Sequence, residues 1–270
     1  MRRAAVVGWV ALALLFSLSF AFGRLWPEVT ARACPFGADA LRPDHTVCEL
    51  AFGGLWVSLA MGVAAAALAT ALGLAVAVAA RWTGGALDRA AMRFAEAFFS
   101  LPDVLVLMVL QFAAQTAGDL NPALKVSPPL LMVLSLAAVG WAAPARMVRS
   151  RLTTLEAPDY VAAARALGAG RAQVLRAHVW PFLRSYLLAL FLARVPAAIL
   201  AESTVSFLGI GRLEPMSLGR YLGVSSSALL YEGGGRIVLP AWGLLVAVVL
   251  AANLAGRSLG GAAPGRSPSS

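Results

Sequence analysis

Charge is scarce in this 270-residue chain: Asp, Glu, Lys and Arg together make up 13% of it, against about 25% in a typical soluble domain. Lysine is nearly missing, with Lys125 alone, so the net charge of +9 comes from arginine. Cysteine occurs only at Cys34 and Cys48, and histidine only at His45 and His178. Two cysteines cannot build a zinc site of the usual kind. No G-x-x-x-x-G-K-[ST] phosphate loop is present, so the chain does not bind ATP by that route. No histidine falls in an apolar run, which leaves a Ser/His hydrolase without support. Apolar residues are what the chain has in excess, at 60% hydrophobic and a mean hydropathy of +0.79. This excludes a disordered or collagen-like chain, a small disulfide scaffold and an ordinary soluble domain. A basic chain this apolar reads as a membrane protein with basic loops, not as a nucleic-acid binder.

A membrane-spanning helix needs about 20 apolar residues. Runs of that kind cover residues 4–22, 52–80, 94–117, 130–148, 185–208 and 237–254, the third interrupted at Pro102-Asp103 and the fourth carrying Pro144 near its end. The expected fold class is all-α, a polytopic membrane protein of about six transmembrane helices. A cleaved leader is the competing reading of residues 4–22, but its apolar run exceeds the usual stretch of about 7–15 residues. The layout gives an N-terminal helix at 1–23, a loop at 24–50, a five-helix core at 51–259 with a polar loop at 149–184, and a tail at 260–270.

Charge placement tests this layout. Arg2, Arg3, Arg81, Arg89, Arg93, Arg146, Arg149, Arg151, the arginines of the polar loop, Arg257 and Arg266 all fall on one side. Fewer basic residues fall on the other, and Arg194 lies within a helix. The bias matches the positive-inside rule with both termini cytoplasmic. Cys34 and Cys48 then share the first outer loop and face an oxidising compartment. A disulfide is expected there, contributing about 3 kcal/mol by the chain-entropy model; two free thiols are the alternative.

The polar loop is the most informative stretch. Pro158 or Asp159 can start a helix, Ala162, Ala163 and Ala164 favour its continuation over 160–167, and Gly168 stands where a helix end takes a left-handed residue. Residues 171–179 read as a second short helix closed by Pro181. The expected product is a helix–Gly–helix elbow, against the plainer reading of a solvated basic loop.

The run Tyr160-Val161-Ala162-Ala163-Ala164-Arg165-Ala166-Leu167-Gly168-Ala169, followed by His178-Val179-Trp180-Pro181, resembles the EAA loop of ABC importer permeases. It is most similar to the second, C-type permease of the dipeptide/oligopeptide/nickel transporter family. Pro35-Phe36-Gly37-Ala38-Asp39, Ser100-Leu101-Pro102, Glu202 with Ser206-Phe207-Leu208-Gly209-Ile210-Gly211, and Asn253-Leu254 with Gly256 resemble further segments of that family, in the same order. The chain departs from the pattern at Ala162, where the family carries its Glu, at Trp180 and at Arg257. The resemblance implies that Tyr160, Ala162, Ala163, Ala164, Arg165, Leu167, Gly168 and Pro181 belong to a coupling loop that docks on separate ATPase subunits. It also implies a second permease, an extracytoplasmic substrate-binding protein, a bacterial inner-membrane location and no catalysis by this chain. ATP would be held by the separate subunit, so the chain itself needs no cofactor and no metal. Di- or oligopeptides are the implied cargo, with nickel or another small solute as alternatives. A stand-alone secondary transporter or channel is the reading from a different class; it predicts internal inverted repeats, and none is evident.

Polar groups within apolar runs are expensive and usually face a pore, a partner or the interface. Asp103, Arg194 and Glu202 are therefore pore or packing candidates, and Glu96 is an interfacial one. Asp103 follows Pro102 and could cap backbone groups freed there. Arg194 needs a carboxylate from another helix or a partner.

Overall fold

The structure, a computed structural model, describes residues 10, 11, 13–18, 21, 34–37, 39, 44–210 and 216–260, apart from the side chains at 99 and 257–260. Most of the expected first span, most of the loop after it and the tail at 261–270 lie outside the described residues. Residues 13–18 are helical, and Phe16 packs its ring on Trp56 with centroids 4.9 Å apart.

Helix α1 (Val47–Thr83) is the central post. Thr46 caps it, its hydroxyl oxygen accepting from the Glu49 amide at 3.3 Å, and Gly84 ends it at φ 67°. At 37 residues it runs roughly 55 Å, longer than a bilayer core of about 30 Å. Its buried face is mostly small: Ala51, Gly54, Ser58, Gly62, Ala65, Ala66, Ala69, Gly73 and Ala77. Small residues let helix backbones approach closely, and in lipid such packing is a main source of helix association.

Helices α2 (Gly85–Phe99) and α3 (Asp103–Leu120) come next. The structure here corrects the run expected over 94–117. Ser100 closes α2, and Pro102, extended at φ −63° and ψ 111°, opens α3. A residue that precedes proline is pushed out of the helical region, so Pro102 separates two helices and does not interrupt one. Asp103 is the first residue of α3, and its carboxylate makes no capping bond. Glu96 is left on α2, 4.0 Å from Arg146. Asp88 on α2 is clamped by Arg149, which donates from Nε at 2.7 Å and Nη2 at 2.5 Å; these bonds hold the Asp88 carboxyl below its usual range, against an opposing push from burial.

Helices α4 (Pro128–Gly140) and α5 (Ala142–Glu156) form the fourth run as a pair bent 46°. Pro144 has no N–H to return to the Gly140 carbonyl, which accounts for the bend at this point. A short helix α6 (Asp159–Ala166) leads into α7 (Arg171–Phe207). Pro181 does not close a second short helix: the chain stays helical from 171 to 207 through a π turn at Leu175–Val179. The wider turn precedes the proline ring, whose missing donor and bulk an α turn would not accommodate. Helix α8 (Leu218–Ser225), a 3-10 turn at Ser226–Leu230 and α9 (Gly235–Gly260) complete the described chain. In sequence the stretch before α9 reads as plain loop.

Four helical stretches are long and apolar enough to cross a membrane among the described residues: α1, α3, α7 and residues 235–256 of α9, with the bent α4–α5 pair as a fifth. No strand occurs among the described residues. Two apolar cores form around α1, a larger one including Leu55, Leu59, Leu107, Ile199, Leu218 and Val248, and a smaller one of Ala77, Val148, Leu152, Val161, Val174, Val179 and Leu183.

The close approaches along α1 make a specific expectation. A Cβ at Gly73 would lie 2.6 Å from Pro144 Cβ and 2.8 Å from the Ala145 amide nitrogen, whereas one at Gly53 meets nothing within 4 Å. Gly73→Ala is expected to destabilise the protein by about 1–3 kcal/mol, and Gly53→Ala to stabilise it slightly. Thermal unfolding of the two variants in detergent reads this; equal melting temperatures would refute it.

Candidate functional site

The elbow is built by local rules. Pro158, extended at φ −62° and ψ 147°, precedes Asp159 at the helix start, where a carboxylate favours the dipole. Gly168 has φ 91°, donates to the Arg165 carbonyl, and is followed by Ala169, whose N–H returns to the Ala164 carbonyl, both at 3.0 Å. This is the left-handed ending in which glycine carries no Cβ penalty. One side of α6 is sealed, with Val161 fully buried in the smaller core beside Val148, Leu152 and Val174. The other side is open. Leu167 is 90% exposed, Tyr160 half exposed, and Ala162, Ala163 and Arg165 are exposed between them. Tyr160 also meets the His178 ring on α7, centroids 5.9 Å apart.

A polar knot fastens the elbow to α1. The Glu156 carboxylate, at the end of α5, accepts from Arg81 Nη2 at 3.0 Å and from Arg165 Nη2 at 2.9 Å. Arg171, at the start of α7, donates to the Trp82 backbone carbonyl. The ends of α1, α5, α6 and α7 are thus joined at one place. Sequence reading missed Glu156 as a fastener, because its partners lie 75 and 9 residues away and no spacing rule joins them.

From Arg171 to Phe207 α7 rises roughly 55 Å, so its last turns lie at the end of the bundle remote from the elbow. Glu202 sits there, fully buried. It accepts from Ser206 Oγ at 2.7 Å, Ser58 Oγ at 2.8 Å and Ser203 Oγ at 3.3 Å, and Ser58 Oγ in turn accepts from the Leu218 amide at 3.1 Å. The carboxyl ties α7 to α1 and, through Ser58, to α8. Two glycines bring α8 onto α7: a Cβ at Gly219 would lie 2.4 Å from Ser203 Cα and one at Gly223 2.4 Å from the Phe207 carbonyl oxygen. A usable signal for α8 was present, since Leu218, Tyr221, Leu222 and Ser225 recur at helical spacing and are all buried.

Asp103 and Arg194 do come together, though not in contact. They line one cavity between α1, α3, α4 and α7, walled by Ala65, Ala66, Ala69 and Ala198. Arg194 Nε is buried and has no hydrogen-bond partner among the described residues. The guanidinium occupies space left by Gly140, where a Cβ would lie 2.7 Å from Nη2.

At the same remote end Cys34 and Cys48 are joined in a disulfide, with Cα atoms 5.7 Å apart. Nearby, Tyr221 on α8 donates to Asp39 Oδ2 at 2.6 Å, both residues being almost fully buried. Burial first, and Asp39 second, push the Tyr221 hydroxyl far above the usual phenol range. The described part of the 34–46 loop is thereby held on α8.

Residues 50–260 match the family model for the binding-protein-dependent transport system inner membrane component. The chain is 28% identical over 276 residues to the oligopeptide transport system permease protein OppC of Mycobacterium tuberculosis H37Rv, covering 96% of this chain and 89% of that one. It is 32% identical over 231 residues to OppC of Escherichia coli K12, covering 83% and 70%. The dipeptide transport system permease protein DppC of Bacillus subtilis is 30% identical over 182 residues, covering 67% and 53%. With the family model spanning most of the chain, from the start of the post to the end of the last helix, this protein belongs to the family of binding-protein-dependent transport system inner membrane components.

Proposed function

We propose that the chain is one transmembrane half of an ABC importer for di- or oligopeptides in the bacterial inner membrane, and that α6 is the part that separate ATPase subunits move. The single observation that carries this reading is the two-sided α6. Its inner side is locked to the bundle through Val161 and its ends are fastened by Glu156 and Arg171, while Tyr160, Ala162, Ala163 and Leu167 present a small, partly apolar face outward. Such a face suits a groove in a partner. Ala164 and Arg165 complete the helix, Gly168 turns it, and Pro181 lies on the lever behind it. The exposed position of Ala162 means that the family's missing Glu costs an outward contact and not a support of the elbow.

ATP binds to the separate subunit, so this chain holds no cofactor or metal and catalyses no reaction. A second permease completes the pore, an extracytoplasmic protein delivers the solute, and the bilayer surrounds the spans; no nucleic acid takes part. Both termini and the elbow lie on the cytoplasmic side, as the arginine distribution supports. The names of the oligopeptide and dipeptide relatives support the cargo.

Purification tests the class. An ATPase and a second permease are expected to accompany the chain, whereas solute movement by the chain alone after reconstitution would favour a stand-alone transporter or channel. Gly168→Val tests the elbow. No atom crowds that position, so the cost is the left-handed backbone itself, about 1–2 kcal/mol. ATP-driven peptide uptake is expected to disappear with membrane levels unchanged on immunoblots, while Gly168→Asn retains part of it. Uptake at the wild-type rate in Gly168→Val would remove the coupling role.

Arg194 and Asp103 lie in the pore wall under this reading. Arg194→Asp is expected to lower uptake about tenfold or more, since it places two carboxylates in one cavity. Adding Asp103→Arg should restore much of the loss, and no restoration would mean that the two charges act independently.

A further inference from the structure

A second cavity, at the end remote from the elbow, has an unbalanced lining. Its polar members among the described residues are Gln111, Gln115, Lys125, Ser206, Ser217 and Arg220, with no Asp or Glu among them. Among the described residues neither cation makes an ion pair with a carboxylate, and the buried Arg220 Nε has no hydrogen-bond partner. Lys125 is exposed at the mouth and Arg220 half-buried; two cations on one cavity wall repel each other, and an unmet guanidinium N–H is costly. Arg81, Arg151 and Arg194 share a buried unpartnered Nε, so the case for Arg220 rests on what stands around it, a second cation and two carboxamides on the same cavity wall.

The surroundings are built to hold these groups. Lys125 comes directly after a 3-10 turn at Pro122–Leu124 that is started by the Asn121 side chain, which accepts from the Ala123 amide at 3.0 Å. The Lys125 backbone then packs on α3 at Gly118, where a Cβ would lie 3.3 Å from Lys125 Cα. Arg220 stands in the first turn of α8, its amide donating to Ser217 Oγ at 3.2 Å. Gln111 is 2% exposed, and its amide nitrogen meets only the Met132 sulfur, at 3.4 Å. A thioether is a weak acceptor, so this amide is free to turn toward a better one. Ser206 spends its proton on Glu202, which leaves its oxygen as an acceptor for an N–H.

We infer that this cavity receives the C-terminal carboxylate of the transported peptide, held between the Arg220 guanidinium and the Lys125 ammonium. The inference rests on the peptide reading above. A planar guanidinium grips a carboxylate through two parallel bonds, and an ammonium adds a point charge. The Gln111 amide donates beside them, and Ser206 offers its oxygen to a peptide N–H. The cavity thus reads the backbone terminus that all such cargo shares and leaves the side chains unread.

The test uses the assembled importer in proteoliposomes and two probes, trialanine and trialanine amide. Wild type is expected to take up the acid about tenfold faster than the amide, a charged hydrogen bond's worth of discrimination. Lys125→Gln and Arg220→Gln should each reduce that ratio severalfold, and Arg220→Lys should retain part of it. The binding protein is the same in every arm, so a change of ratio belongs to the permease. An unchanged ratio in both glutamine variants, or an equal loss of both peptides, would overturn the inference. Thermal stabilisation of the purified importer by each probe separates it from the cargo reading. If wild type transports neither probe yet is stabilised by the acid alone, and the glutamine variants abolish that, the carboxylate site stands and the peptide cargo falls. If neither preference nor carboxylate-dependent stabilisation exists, the site falls.

Discussion

The contact on which the rest of the bundle depends is the backbone approach of α1 to its neighbours. In lipid, two apolar helices gain little from hiding their side chains, because lipid tails are as apolar as leucine. Close dispersion contact must then supply the association, and it grows only if backbones come near. Gly54, Gly62 and Gly73 provide that at three heights of one helix, against Leu218 of α8, Ile199 of α7 and Pro144 of α5. One face of α1 therefore sets the position of the helices that hold the elbow at one end and the carboxyl cluster at the other. A change at α5 or α7 at one end has a rigid path to the other through the same post.

Polar groups in this frame fall into two kinds, separated by whether their partners come from the chain itself. Glu202 is fully satisfied by three serine hydroxyls, so its burial serves packing. The carboxylates of Glu156 and Asp88 are likewise met by arginines of the same chain. Arg194 and Arg220, like Arg81 and Arg151, each keep a buried Nε without a partner among the described residues, and each lines a cavity. What sets Arg194 and Arg220 apart is their company, Asp103 on the same cavity wall for Arg194 and Lys125 with two carboxamides for Arg220.

Much of the fold was legible, and the errors have a common origin. Apolar length found the spans, because a bilayer imposes it, and Gly168 was readable because a left-handed helix ending is a one-residue requirement. Proline was the misleading signal. Pro102 begins a helix and Pro181 is absorbed by a π turn without ending anything, whereas Pro144 does accompany a bend, of 46°. The ring removes one donor in each case, and the outcome is decided by neighbouring helices that a local reading does not see. Helix α8 escaped for a related reason: it is short, and its place is set by Gly219 and Gly223 meeting the backbone of α7. The site residues legible as chemistry, Asp103, Arg194 and Glu202, became distinguishable only once their partners were known.

Under the proposed coupling role the elbow needs both a rigid and a two-faced part. A helix of eight residues is marginal alone, so α6 owes its shape to Val161 in the core and to the glycine ending that stops it. Its outward residues are then free of any structural duty and can be shaped by a partner. The knot at Glu156 closes the load path: a force on Arg165 reaches α5 through that carboxylate and α1 through Arg81, while Arg171 carries it to the start of α7. Under the proposed coupling role, α7 joins the elbow to the far end as one helix, running through its π turn and past Arg194 and Pro196 to Glu202 and Ser206. A helix closed at Pro181 would have lost that motion in a hinge.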